Sequence, residues 1–158
     1  LYAIENLSLA NYLRYARPWV ATADQCLAEA IRHIGDQQRE FAERVGSLII
    51  ERYGRVEGRS FPFRFTAYND LSVAYLAPRV MEDQERIVRQ VRAIAHQLCA
   101  DAVACDLASE ILGAEQAHLD NLRELLDKPR SDTSHQPAVA ALSEQRCQDD
   151  APHIATAA

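Results

Sequence analysis

Glu110-Ile111-Leu112-Gly113-Ala114-Glu115-Gln116-Ala117-His118-Leu119-Asp120 decides how the rest of this 158-residue chain is read. At about 100° per residue, Glu115 and His118 fall on the same helical stripe as Ala108, Ile111, Leu112, Leu119, Leu122 and Leu126. A carboxylate and an imidazole one turn apart therefore point into an apolar seam. Burying a charge without a partner costs several kcal/mol. The seam thus implies either a metal ion or a hydrogen-bonded polar cluster.

The surrounding composition fits a helical protein. Hydrophobic residues make up 48% of the chain and charged residues 25%, with only five Gly and six Pro to interrupt helices, so an all-α domain with a substantial core is expected. The net charge of −6 argues against nucleic acid as a partner, since such binders carry basic surfaces. No run approaches the roughly 18 apolar residues of a membrane span, and no charged-then-apolar leader is visible. Cys26, Cys99, Cys105 and Cys147 show no CxxC spacing, which suggests reduced thiols and a cytoplasmic setting. Cys99 and Cys105 read as neighbours near a turn or as small core fillers. No Gly-rich phosphate loop or Ser/His/Asp arrangement points to nucleotide or hydrolase chemistry.

Periodicity predicts four long helices. The first runs from about Tyr2 to Trp19, with Leu1, Tyr2, Glu5, Leu9, Tyr12, Ala16 and Trp19 on one face and Pro18 ending or kinking it. Asp24 is a candidate N-cap for the second, which reaches about Tyr53 and turns Leu27, Ile31, Ile34, Gln38, Phe41, Val45 and Ile49 inward, with Gly54 at its stop. Residues 54–68 lack helical period and read as a crossover strap that pins Phe61, Phe63 and Phe65 onto a groove. Stacking of nucleic acid on these rings and the neighbouring arginines is disfavoured by the acidic chain. The third helix begins near Asn69 or Asp70 and faces inward with Val80, Gln84, Ile87, Val88, Val91, Ile94, Ala95 and Leu98. Asp101 caps the fourth, which ends near Asp127. The expected division is a bundle over 1–127 and a tail over 128–158, with a short helical stretch around Ala138 to Cys147.

Short connections after helices one and three and a long crossover after helix two describe an up-down-down-up four-helix bundle. The Glu110–Asp120 stretch is similar to the Glu-Ile-Leu-x-x-Glu-Glu-x-His-Ile-Asp motif of the ferritin-like family, bacterioferritin branch. Asn11-Tyr12-Leu13-Arg14-Tyr15-Ala16-Arg17 resembles that family's Gln-Tyr-Phe-Leu-His-Ala-Arg. The resemblance covers roughly 1–127. It implies iron handling: binding Fe²⁺, oxidising it, and storing it in a homo-oligomeric shell. Ferritin-like carboxylate proteins hold two irons with a Glu on each of two helices and a Glu-x-x-His pair on each of the other two. By resemblance Glu5, Glu115 and His118 fall on ligand positions, with Tyr12 close by.

The same comparison shows losses. Phe41-Ala42-Glu43-Arg44 corresponds to the family's His-Ala-Asp/Glu-Arg, so Phe41 replaces a ligand His and Gln38 a bridging Glu. On the third helix, gap-free counting from Asp101 puts the ligand at Glu82, whereas the apolar phase puts Gln84 inward and Glu82 on the opposite face. Two ferrous ions bring four positive charges, and neutral amides are weak ligands for transition metals. Three outcomes stay open: one Fe²⁺ or Zn²⁺ held by Glu115, His118 and a further acid; a metal-free polar core in which Gln38 and Gln84 donate to Glu5 or Glu115; and a two-metal site built with Glu82. The metal-free reading implies a structural or regulatory subunit that co-assembles with an active ferritin-like partner. Arg39 stands where haem-binding bacterioferritins carry a haem-ligating Met, so the resemblance implies no haem. His33 lies off the core stripe and reads as a surface or interface residue.

Overall fold

The structure, a computed structural model, describes residues 1–128. Its named elements over these residues are all helical: α1 (Tyr2–Asn6), α2 (Leu9–Ala16), α3 (Gln25–Glu51), α4 (Val73–Gln97) and α5 (Ala102–Asp127), with 3₁₀ segments at Thr22–Asp24 and Phe63–Tyr68. No helix among the described residues is long and apolar enough to cross a membrane. The expected tail over 128–158, including its short helix and Cys147, lies outside the described residues from 129 onward.

Two apolar clusters form the interior. One gathers Leu9, Leu13, Leu27, Ile31, Ile34, Phe65, Val73, Leu76, Val80 and Leu122. The other gathers Phe41, Val45, Ile87, Val91 and Ile111, with Leu1, Tyr2 and Ile4 packed against it. Helices α3 and α4 pass from the first cluster to the second along the chain. The α1–α2 pair and α5 pass from the second to the first. Each helix crosses the boundary at a polar residue: Glu5, Gln38, Gln84 and Glu115 are all buried there.

The first helix departs from expectation. It breaks at Leu7 and restarts at Ser8, whose side chain accepts from the Asn11 N–H at 3.1 Å. Asp83 of α4 accepts from the freed Leu9 N–H at 2.9 Å, so the exposed backbone donors at the restart have partners. The break resets the helical phase. Tyr12 therefore leaves the polar layer, donating to Asn69 Oδ1 at 2.7 Å and packing on Phe61 and Phe65. The helix ends at Ala16, with Arg17 left-handed at φ 47° before Pro18, and Trp19 lies exposed. Pro disfavours helical geometry in the residue before it.

The other boundaries follow local chemistry. Asp24 occupies the residue before α3. That helix stops at Glu51, short of Gly54, whose N–H returns to Ile49 O at 2.8 Å. Ser72, not Asn69 or Asp70, caps α4, and Pro78 is accommodated in its second turn. Asp101 caps α5 as its position in the sequence suggests, accepting from Ala104 N–H at 3.2 Å. Arg52 donates to both Asp101 oxygens at 3.0 and 3.1 Å, tying the end of α3 to this turn. In the crossover Phe65 is buried and Phe61 half-buried, but Phe63 points outward, so the strap is pinned by two rings rather than three. Gly35 lets α2 and α3 touch closely: a Cβ there would lie 2.8 Å from the Ala10 carbonyl oxygen.

Candidate functional site

The layer between the two clusters collects acids, amides and an imidazole from every long helix. Helical spacing puts them there: Gln38 stands between Ile34 and Phe41, Gln84 between Val80 and Ile87, and Glu115 between Ile111 and Leu119. Glu5, Gln38 and Glu115 are 0% exposed, Gln84 1% and His118 6%.

Glu115 is the hub. Its Oε2 accepts from Gln38 Nε2 at 3.1 Å and from Gln84 Nε2. Gln84 Nε2 also reaches the Glu115 carbonyl at 3.2 Å, and Gln38 Nε2 reaches Gln84 Oε1 at 3.3 Å. The amide of Gln38 is oriented from behind, because the Ser8 hydroxyl donates to its Oε1 at 2.5 Å. Ser8 thus caps α2 and aims a buried amide at once. Ser8→Ala removes a cap worth about 1 kcal/mol and leaves a buried acceptor unpaired at about 1–3 kcal/mol. Urea denaturation should show a loss of about 2–4 kcal/mol.

Glu5 meets Glu115 from α1 within hydrogen-bonding reach. Burial, then the Glu115 charge, then that hydrogen bond push the Glu5 carboxyl up to about 10, so at neutral pH Glu5 carries a proton and donates it to Glu115. Apart from this shared proton, no donor reaches Glu5 Oε1, Glu5 Oε2, Glu115 Oε1 or His118 Nδ1. His118 Nε2 lies 2.6 Å from Gln37 Oε1. An amide oxygen has no proton to give, so Nε2 carries the hydrogen, and in the neutral imidazole Nδ1 presents a lone pair. That nitrogen stands 3.6 Å from Glu115 Oε2.

The chain matches no protein-family model, no curated protein and no solved structure.

The positions read from sequence divide cleanly. Glu5, Gln38, Gln84, Glu115 and His118 come together. Glu82 does not: it is exposed on the outer side of α4, where the helical phase puts it, and its neighbour Gln84 takes the inward place. Tyr12 is displaced by the break at Ser8. Phe41 fills its position with a ring in the second apolar cluster. His33 is exposed, with its ring edge-on to His118 at 5.9 Å between centroids. Three polar residues went unread, among them Gln37, which holds the His118 ring. Ser8 carries only a cap signal, and Asp83 sits off the apolar stripe, its role visible only through Leu9 and its ion pair with Arg86. Among the described residues no three His, Cys, Asp or Glu side chains stand positioned to hold a metal ion as they are. The atoms available to face a cation are the lone pairs of Glu5, Glu115 and His118.

Proposed function

We propose that the chain is a ferritin-like protein of the iron-handling kind that keeps one cation position and has lost the other. The order in which its helices traverse the two apolar clusters matches an up-down-down-up four-helix bundle, with residues 52–72 as the long connection. The observation that carries the functional part is the group of four buried lone-pair atoms, Glu5 Oε1 and Oε2, Glu115 Oε1 and His118 Nδ1, which lack hydrogen-bond partners outside the carboxyl pair itself. The Glu115 carboxylate, the Glu5 carboxyl once an ion displaces its proton, and one imidazole nitrogen are a donor set suited to Fe²⁺ or Zn²⁺. Such an ion, when bound, supplies the positive charge that two buried carboxylates otherwise lack.

The donors of the second position do not fit an ion. Phe41 offers a hydrocarbon ring, and Gln38 and Gln84 present N–H groups to Glu115 where a metal would need lone pairs. Their amides fix the Glu115 carboxylate and leave its Oε1 open, while Gln37 holds the His118 ring with Nδ1 inward. The protein therefore binds a divalent ion without acting as a di-iron ferroxidase.

A second reading has its own support. With a proton on Glu5 the carboxyl pair carries one negative charge, held by the Gln38 and Gln84 amides, and no ion is required, which suits a metal-free pseudo-ferritin that serves as a structural or regulatory subunit. Exposed Tyr15, Trp19, Ile50 and Tyr53 favour assembly with like or related subunits under either reading. Anaerobic loading with Fe²⁺ followed by air separates them. One iron per chain with slow ferric absorbance is expected; two irons with rapid absorbance overturns the proposal, and no retained iron selects the metal-free subunit.

A further inference from the structure

At the end of the molecule away from the α3 N-terminus, α4 hands over to α5 through a tight turn closed by the Asp101 N–H to Leu98 O hydrogen bond at 3.0 Å. Cys99 lies in that turn, outside both helices, and is exposed. Cys105 lies in the first turns of α5, half-buried, with its thiol facing that of Cys99 in a hydrogen bond across the turn. The Cys99 thiol also lies 3.6 Å from Ala95 O at the end of α4. Two free thiols share one joint, and the joint itself is anchored by the paired Arg52 and Asp101.

We propose that Cys99 and Cys105 are a redox modification site, closing to an intramolecular disulfide in exchange with a low-molecular-weight disulfide such as oxidised glutathione. Cys99, the exposed partner, attacks as the thiolate on one sulfur of the small disulfide. The S–S bond of the oxidant breaks and one thiolate leaves. Cys105 then displaces the second small thiol from Cys99, forming the Cys99–Cys105 bond. The chain loses two electrons and two protons; the oxidant takes both and leaves as two thiols. Burial and the facing Cys99 push the Cys105 thiol up from its ordinary value, which suits the resolving role rather than the attacking one. Closure needs only the Cys99 side of the joint to move, because that residue belongs to no helix. Cys26, at the start of α3, sits at the opposite end and cannot reach either thiol within one molecule.

Incubating the full chain with excess oxidised glutathione, then counting thiols under denaturing conditions and mapping peptides, tests this. Cys99 and Cys105 should be recovered as one linked peptide pair, free of glutathione, that dithiothreitol separates, so that at least two of the four thiols are lost. In Cys105→Ser, Cys99 should stop at the mixed disulfide with glutathione. Cys26→Ser and Cys147→Ser should leave the linked pair unchanged. Separate glutathione adducts on Cys99 and Cys105 in the unsubstituted chain, or pairing of either with Cys26 or Cys147, overturns the proposal. The folding of each variant is verified by the same urea transition as the parent.

Discussion

Glu115→Ala should lower the unfolding free energy by about 3–5 kcal/mol, a large share of the roughly 5–15 kcal/mol that holds a typical domain together. The reason is not the volume removed but the groups left behind. Gln38 and Gln84 both donate to Glu115 Oε2, and Glu5 donates to the same carboxylate. Without that acceptor the Glu5 proton loses its partner, and the Gln38 and Gln84 amides keep only their contacts to Gln84 Oε1 and the residue-115 carbonyl, at about 1–3 kcal/mol for each bond lost. Relief of the charge that opposes Glu5 ionisation recovers part of this. Glu115→Gln is the control: it keeps the shape and an amide oxygen, so its loss should stay near 1–2 kcal/mol. Urea transitions of the two variants decide the matter. Equal losses would mean that Glu115 acts as filler and that the polar layer has no organising acceptor.

The second large effect is on pH dependence. Glu5 has a folded value of about 10 against an ordinary 4.5, so between these limits the folded state binds a proton that the unfolded state has released. Stability then falls as pH rises, by up to about 1.4 kcal/mol per unit, and the full contribution is present only below the unfolded value. Asp101, Glu110 and Glu124 act in the opposite sense, held below their ordinary range by Arg52, Arg44 and Lys128. Their effect is complete by about pH 5; the Leu1 amino group, lowered by burial, offsets part of the Glu5 slope at higher pH. Metal-free protein, melted in urea at intervals from pH 6 to 9, should therefore weaken steadily, while Glu5→Gln should give a flatter curve. A parent curve as flat as that of the variant would place Glu5 in contact with water.

Much of this was legible in the sequence because long helices with a strict apolar stripe leave little freedom. The phase of Val80, Ile87 and Val91 puts Gln84 inside and Glu82 outside, and the structure agrees with that phase over the gap-free count. Asp101 announces the start of α5 by its position alone. The start of the chain was harder. A single Ser at position 8 breaks the helix with no Gly or Pro to signal it, since the compensating partners are distant: Asp83 lies 74 residues from Leu9 and Gln38 lies 30 from Ser8. Missing that break shifted the expected phase of everything from Leu9 to Trp19, which is why Tyr12 and Trp19 were expected on the Glu5 face. Phe63 was misplaced for a related reason: a 3₁₀ segment follows no period long enough to read. The identity of the polar cluster was visible in advance, but its wiring was not. Which amide nitrogen faces which oxygen depends on the Ser8 hydroxyl, a contact that no local pattern reveals.

The claim at the centre is that Glu5, Glu115 and His118 surround one cation position and that Gln38, Gln84 and Phe41 close off a second. Crystals grown with Fe²⁺ or Zn²⁺ and measured on either side of the metal absorption edge test it directly. The account predicts one anomalous peak per chain, lying among the Glu5 carboxylate, Glu115 Oε1 and His118 Nδ1. Two peaks, or a buried layer with no peak at all, would contradict it.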